Sequence, residues 1–88
     1  MTIYYYTRYK RSYKRLDPQL QKAAGKQIAL FRQDHFNPHL DTHRLHGKLK
    51  GFWSFSVDGR RHRILFEFLT STQDEVVFLD IGNHSIYQ

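Results

Sequence analysis

The run FWSFSVDGRRHRILFEFL, residues 52–69, places the tightest limit on how this chain can fold. On both sides of Asp58-Gly59, residues alternate between apolar and polar, which is the pattern of half-buried β-strands. Asp-Gly between two such runs is a strong signal for a tight hairpin turn. The run therefore predicts two antiparallel strands, each with one face turned toward a core.

The first third of the chain has a helical period instead. TIYYY, residues 2–6, is rich in β-formers and predicts a short first strand. In residues 7–16, apolar residues recur every three or four positions, which predicts a short amphipathic helix. The basic residues that fall largely on its other faces are Arg8, Arg11, Lys14 and Arg15. Asp17-Pro18 pairs an N-cap residue with a proline at the first helical position, so a second helix is expected to begin there and to end after Asp34.

The remaining segments complete a four-strand series. RLHGKL, residues 44–49, is a plausible edge strand followed by a turn at Gly51, and EVVFLDI, residues 75–81, is the last strand after a turn at TSTQD. The order β-α-α-β-β-β-β predicts an α+β fold, with an N-terminal helical hairpin on one face of a mainly antiparallel twisted sheet. Two helices cover only one face of such a sheet. The polar residues predicted on the uncovered face are Ser54, Ser56, Arg61 and Arg63.

Composition favours an ordinary globular domain. Eighty-eight residues, of which 40% are hydrophobic and 16% aromatic, are enough for one core, so residues 1–88 are interpreted as a single domain. The absence of cysteine excludes a disulfide framework and a thiolate zinc site and suits a reducing compartment. No stretch resembles a signal peptide or a membrane span, and we therefore expect a soluble cytoplasmic protein. No cofactor is expected.

Charge is unevenly distributed along the chain. All fourteen Lys and Arg lie at or before Arg63, with four of the eight acidic residues, so residues 1–63 carry +10 and residues 64–88 carry −4. A basic body of this kind is typical of a protein that binds a polyanion, although solubility alone is an alternative reason for it. Nucleic acid is favoured over a membrane surface, because the cations are not gathered on one long amphipathic helix.

Cations in the second half of the chain suggest a phosphate site. Arg61 and Arg63 on a rigid strand would offer planar forks of donors that match phosphate oxygens. Lys48 and Lys50 are two apart, so on a strand they would share one face and add charge nearby. A basic strand that only faces solvent remains the alternative interpretation of these residues.

Two histidines are candidates for proton transfer. Cleavage of RNA through its 2′-hydroxyl needs a base for that hydroxyl, an acid for the leaving 5′-oxygen and cations for the phosphate. His43 precedes the lysines and His84 follows the last strand, so both would flank one phosphate if their strands end at one rim of the sheet. A zinc site that includes His46 lacks a carboxylate or cysteine at ligand spacing, and no metal is expected. The histidines interpreted as surface or hydrogen-bonding residues are His35, His39 and His62.

Three segments together, LHGKLKGFWS, HRILF and IGNHSIY, resemble the RelE/ParE superfamily of bacterial type II toxins, in particular its YafQ-like, YoeB-like and RelE-like mRNA interferases. The resemblance covers nearly the whole chain. It implies the toxin of a toxin–antitoxin system: an endoribonuclease that enters the ribosomal A site, cuts mRNA by 2′-hydroxyl attack and is covered by a cognate antitoxin.

The same resemblance implies roles for individual residues. Arg63 matches the arginine that stabilises the phosphate, His84 the general acid, His43 the base, and Tyr87 an aromatic residue that positions a nucleotide. The residues expected to contact RNA or phosphate beside them are Lys48, Lys50, Arg61, Ser54 and Ser56. Two alternatives stay open: a ParE-like toxin that inhibits DNA gyrase without catalysis, and a non-toxic basic relative that binds nucleic acid. A homo-oligomer is possible but is not predicted.

Overall fold

The fold is a helical pair on one face of a five-stranded sheet, within the residues that the computed structural model describes, 1–59 and 61–87. The strands and helices are β1 (Thr2–Tyr5), α1 (Thr7–Arg15), α2 (Pro18–Gln33), β2 (His43–Arg44), β3 (Trp53–Asp58), β4 (His62–Phe68) and β5 (Glu75–Gly82). Short 3₁₀ turns lie at Pro38–Leu40, Gly47–Leu49 and His84–Tyr87. This order confirms the predicted α+β fold.

The sheet has the strand order β1-β5-β4-β3-β2. β1 runs parallel to β5, while the three other pairs are antiparallel, so the sheet is mixed but mainly antiparallel, as predicted. The predicted hairpin is confirmed, since Ser56 pairs with Arg63 and the Arg61 amide donates to the Asp58 carbonyl. β4 is the central strand, with β5 and β3 on its two sides, and the edge strand β2 lies beside β3.

Local sequence accounts for the start and end of α2. Asp17 is the N-cap and accepts a hydrogen bond from the Leu20 amide at 3.0 Å, and Pro18 stands where the missing N–H costs nothing. The helix ends at Gln33, with the Asp34 amide donating to Leu30. In the described part of the chain, no helix has both the length and the apolar character that a membrane span requires.

The core lies between the helices and one face of the sheet. Phe31 of α2 stacks on Phe55 with 4.6 Å between ring centroids and meets Phe66 edge-on at 5.0 Å. These rings and Phe78 are fully buried. Tyr9 of α1 joins the same cluster, and its burial raises the pKa of the phenol above its ordinary value. Aromatic packing therefore fixes the helices relative to β3, β4 and β5.

The face away from the helices is not open to solvent, which corrects the prediction of an uncovered face. Ser54, Ser56 and Arg63 point there but are only 0%, 5% and 7% exposed. Two segments without strand structure, residues 45–52 and the turn at His84–Tyr87, close over this face around a cavity of about 300 Å³. Apolar residues of these segments and of the sheet line that cavity, among them Leu49, Phe52, Leu65, Leu79 and Ile86. Burying this apolar surface explains why the loops fold back.

The predicted edge strand at residues 44–49 is wrong. Only His43–Arg44 pairs with β3, and the chain then enters a 3₁₀ turn. Gly47 and Gly51 have φ of 69° and 97°, values that favour glycine and are incompatible with a strand. The Lys50 amide donates to the Gly47 carbonyl and closes the turn. The turn predicted at Gly51 is confirmed.

Candidate active site

Arg63 is the centre of a polar cluster on the face away from the helices. Strand register places it opposite Ser56 in β3 and Gly82 in β5. Its Nε donates to Ser54 Oγ at 2.9 Å, and its Nη2 donates to the Asp41 carbonyl at 2.7 Å. Its Nη1 lies 3.3 Å from the Asp41 carboxylate, and the side chain is 9% exposed. Arg63 is therefore a fixed cation near the surface, with an acidic residue as its outer partner.

Asp41 is the member of this cluster that sequence reasoning missed. It follows the 3₁₀ turn Pro38–Leu40 in the left-handed conformation, with φ 49° and ψ 46°, which aspartate tolerates better than most residues. In this conformation both its carbonyl and its carboxylate reach Arg63. The side chain is 69% exposed, so the carboxylate is the solvent-facing partner of a nearly buried guanidinium. The only signal in the sequence was a turn-forming Asn-Pro pair four residues upstream.

His43 contacts the same two residues. Its Nδ1 lies 2.9 Å from the Asp41 carbonyl and 3.2 Å from Arg63 Nη2. A carbonyl oxygen only accepts, so the shorter contact assigns the ring proton to Nδ1, and Arg63 and His43 both donate to one oxygen. In the neutral ring this leaves a lone pair on Nε2. Because the His43 side chain is 49% exposed, an incoming molecule has access to it.

The two serines predicted at this face have protein partners. Ser54 is fully buried and holds Arg63 through Nε. The Ser56 hydroxyl donates to the Gly59 carbonyl, and the Ser56 carbonyl accepts from Gln27 Nε2 at 2.9 Å. Ser54 therefore positions the cation, while Ser56 ties the hairpin end to α2.

His84 and Tyr87 lie together on the C-terminal 3₁₀ turn, with 6.1 Å between their ring centroids. Ile86, 6% exposed, anchors this turn against the sheet. His84 is exposed and, with Arg61, lines a cavity of about 440 Å³ at the rim of the sheet. Tyr87 lines the neighbouring cavity of about 300 Å³. The turn thus places an exposed imidazole beside a half-buried phenol, whose hydroxyl is buried and has no hydrogen-bond partner among the described residues.

The predicted site residues form two groups. The first comprises Arg63, His43 and Ser54, and the second comprises His84 with Arg61 and Tyr87. Strand pairing links them, because Gly82 lies opposite Arg63 and only two residues before His84, but no direct contact joins His43 to His84 in the described part of the chain. A third set, Lys48 and Lys50, is exposed on the turn at Gly47–Leu49 and does not share a strand face.

This architecture is the RelE/ParE-like toxin fold. No family model matches the chain, and no curated protein matches it. Solved structures do. The YoeB/ParE toxin from Agrobacterium tumefaciens is similar with a TM-score of 0.77 and 18% identity, over 96% of this chain and 99% of that one.

Two further structures share the fold. The toxin–antitoxin complex YoeB-YefM from Staphylococcus aureus is similar with a TM-score of 0.74 and 12% identity, over 96% of this chain and 97% of that one. YafQ from E. coli strain BL21(DE3) is similar with a TM-score of 0.71 and 16% identity, over 97% of this chain and 94% of that one. These likenesses confirm the fold that the sequence motifs implied.

Proposed function

We propose that this chain is the toxin of a type II toxin–antitoxin system and acts as a ribosome-dependent endoribonuclease on mRNA in the A site. The observation that carries the proposal is the pairing of His43 with Arg63. A histidine with an available Nε2 lone pair stands beside a guanidinium that the protein already orients. The toxin fold and the histidine on the C-terminal turn support the same conclusion.

The proposed reaction is an internal transfer within the RNA. His43 Nε2 accepts the proton of the 2′-hydroxyl, whose oxygen attacks the adjacent phosphorus. The bond between that phosphorus and the 5′-oxygen breaks, and protonated His84 gives its proton to the leaving oxygen. The products are a 2′,3′-cyclic phosphate and a 5′-hydroxyl, so the reaction consumes no water. Proton transfer by such groups accelerates reactions by about 10² to 10⁴ each.

Arg63 has the part of holding the phosphate in this scheme. Its Nη1 now faces the Asp41 carboxylate at 3.3 Å, a separation at which a phosphate oxygen replaces a carboxylate oxygen without moving the cation. Ser54 and the Asp41 carbonyl continue to hold the guanidinium after that exchange. The cation is thus in place before the substrate arrives, which is the condition for stabilising charge that develops in the transition state.

The residues outside this cluster bind RNA in the proposal. Tyr87 stacks on a base next to the cut, and exposed cations contact the backbone on either side. These cations are Lys48, Lys50 and Arg61. Ser56 contributes through the hairpin, because its hydroxyl donates to the Gly59 carbonyl.

The proposed protein partner is a cognate antitoxin, which covers the site in resting cells, and the site of action is the cytoplasm. The whole chain has a net charge of +6, and an acidic partner would be complementary to it. One fold neighbour was solved as a toxin–antitoxin complex, which supports this kind of partner.

Primer extension on a translated message tests the proposed function. We expect breaks at ribosome-bound codons that disappear when ribosomes are omitted. Arg63→Ala and His84→Ala should each slow cleavage by about 10² or more, because each removes a group that acts on the reacting atoms. Arg63→Lys is the conservative variant, since Arg63 is nearly buried and its truncation is expected to lower stability.

Matched controls are Arg32→Ala and His39→Ala, which remove the same side chains at exposed positions outside the site. They should cleave at the parent rate. Full cleavage by both Arg63→Lys and His84→Ala in folded protein contradicts the assignment. Intact mRNA together with loss of gyrase supercoiling would select the ParE-like alternative, and growth without arrest on induction would select a non-toxic relative.

A further inference from the structure

A second basic surface lies on α1, away from Arg63 and His43. A cleft of about 740 Å³ separates α1 from the end of β5 and the C-terminal turn. Its α1 wall carries Arg8, Arg11 and Arg15, which are three and four residues apart and so share one side of the helix. Its other wall includes His62 and Asn83. We call this surface the arginine cleft, and the proposed reaction leaves it without a role.

Asp80 holds the inner end of the arginine cleft in place. This carboxylate is 4% exposed. Its Oδ2 lies 2.9 Å from Arg8 Nε, and its Oδ1 accepts from Ser12 Oγ at 2.6 Å and from the Ile81 amide at 2.9 Å. The buried charge is therefore fully partnered, as burial requires. Among the described residues, Arg8 is held through Nε alone, so its two Nη groups have no partner there, and its side chain is 53% exposed.

Charge in the arginine cleft is not balanced. Arg11 and Arg15 are exposed, and neither has an acidic or hydrogen-bonding partner among the residues that the structure describes. Asp80 neutralises one of the three arginines, which leaves a formal charge of +2 from Arg11 and Arg15. A concave surface of one sign focuses the field and concentrates counterions, so the arginine cleft favours an anionic ligand.

The arginine cleft continues into the rim cavity that contains His84. His62 and Asn83 line both the cleft of about 740 Å³ and the cavity of about 440 Å³ that Arg61 and His84 also line. A single chain of phosphates can therefore follow the surface from the candidate acid to α1 without leaving basic residues. An acidic protein segment would match the charge but gains nothing from this continuity.

From this continuity we propose that the arginine cleft binds backbone phosphates of the same single-stranded RNA, next to the nucleotide that is cut. Planar guanidinium groups hold phosphate oxygens through two parallel hydrogen bonds, which suits Arg11 and Arg15. The inference deepens the proposed function, since it names how the RNA beyond the scissile phosphate is held.

Binding of a labelled 2′-O-methyl RNA oligonucleotide to the full chain, measured by fluorescence anisotropy at several salt concentrations, tests the inference. This RNA lacks the attacking hydroxyl, so binding is read without cleavage and without ribosomes. Arg11→Gln with Arg15→Gln should weaken binding about ten-fold and reduce the salt slope by about 1.4, as expected for two single-strand phosphates. Arg11→Lys with Arg15→Lys should restore part of the affinity.

Lys10→Gln with Lys14→Gln is the matched control, because it removes the same charge at the same spacing from another side of α1. It should change affinity less than three-fold. Equal losses in the two double variants, or no loss in the arginine variant, would overturn the inference. If polyglutamate displaces the RNA as effectively, charge for charge, as unlabelled RNA does, the cleft belongs to an acidic protein segment instead. If the parent protein does not cut mRNA, the proposed function is wrong, but the measured RNA affinities still test the arginine cleft.

Discussion

Asp41 connects Arg63 and His43, which are both proposed to act at the phosphate. Its carbonyl accepts from both Arg63 and His43, which fixes the cation and the tautomer of the imidazole together. In the proposed reaction, its carboxylate is the anion that a phosphate of the RNA displaces from Arg63. The sequence motif predicted Arg63 and His43 but not Asp41, because the contact depends on a left-handed backbone at residue 41 and on the short pairing of β2 with β3.

Asp41→Asn tests the competing role of this carboxylate. Asparagine tolerates the left-handed conformation and keeps the carbonyl, so Arg63 and His43 should stay in place. Removal of one exposed ionic partner, worth at most about 1 kcal/mol, should tighten RNA binding by up to about five-fold. The measurement is the Kd for 2′-O-methyl RNA together with the single-turnover cleavage rate.

Asp34→Asn provides the control for this experiment, since it makes the same charge change on an exposed residue outside the cluster. It should leave binding nearly unchanged. A fall in cleavage as large as that of Arg63→Ala would show instead that the Asp41 carboxylate is required to position the catalytic groups.

At the scale of elements, the C-terminal 3₁₀ turn decides where His84 and Tyr87 lie. The turn packs on the sheet through Ile86 and passes close to Gly82. A Cβ on Gly82 would lie 2.9 Å from Ile86 Cγ2, nearer than two carbon atoms approach without a shift. The need for glycine at residue 82 became visible only with the turn folded back on the strand.

Gly82→Ala should therefore displace the turn. Its cleavage rate should fall by more than its loss of stability can account for. The added methyl group either moves Ile86 or shifts the turn that carries His84, and small displacements of a catalytic group are costly. Single-turnover cleavage and the thermal unfolding midpoint, measured on the same samples, separate the two effects.

Gly25→Ala is the counterpart within a helix. A Cβ at residue 25 would meet no atom of the described residues within 4 Å, and alanine is preferred over glycine in a helix interior by about 1 kcal/mol. This variant should raise the free energy of unfolding and leave cleavage unchanged. If Gly82→Ala and Gly25→Ala had the same effects on cleavage and on stability, close packing at the turn would not be the reason for glycine at residue 82.

For the whole molecule, one aromatic core holds the helices on a single face of the sheet. Phe31 is its central contact, since it stacks on Phe55 and meets Phe66 and Phe78 edge-on. The loops then close over the opposite face around the cavity that Leu49, Phe52 and Ile86 line. Both candidate sites depend on this division, because α1 borders the arginine cleft and the sheet carries the polar cluster.

Phe31→Ala should lower the free energy of unfolding by about 3–5 kcal/mol, through lost apolar burial and the cavity that remains. Small domains have total stabilities of about 5–15 kcal/mol, so this loss removes a large share. Phe36→Ala is the matched control, because Phe36 is 47% exposed, and it should cost much less. Urea unfolding measures both, and similar losses would contradict the central position of Phe31.

The sequence by itself determined the fold class and most of the helices and strands. The alternation around Asp58-Gly59 and the Asp17-Pro18 cap act over a few residues, so local patterns suffice to predict the hairpin and the start of α2. The prediction of a strand at residues 44–49 was wrong, because the alternation of apolar and basic residues does not reveal that Gly47 and Gly51 adopt positive φ.

Only the tertiary structure decided what surrounds Arg63. Its partners Asp41, His43 and Ser54 lie 9 to 22 residues away in the chain, and they meet it only in the folded structure. The arginine cleft likewise requires α1 and the end of β5 to meet through Asp80, 72 residues from Arg8 in the chain. Such contacts result from the packing of distant segments, which periodicity along the chain does not encode.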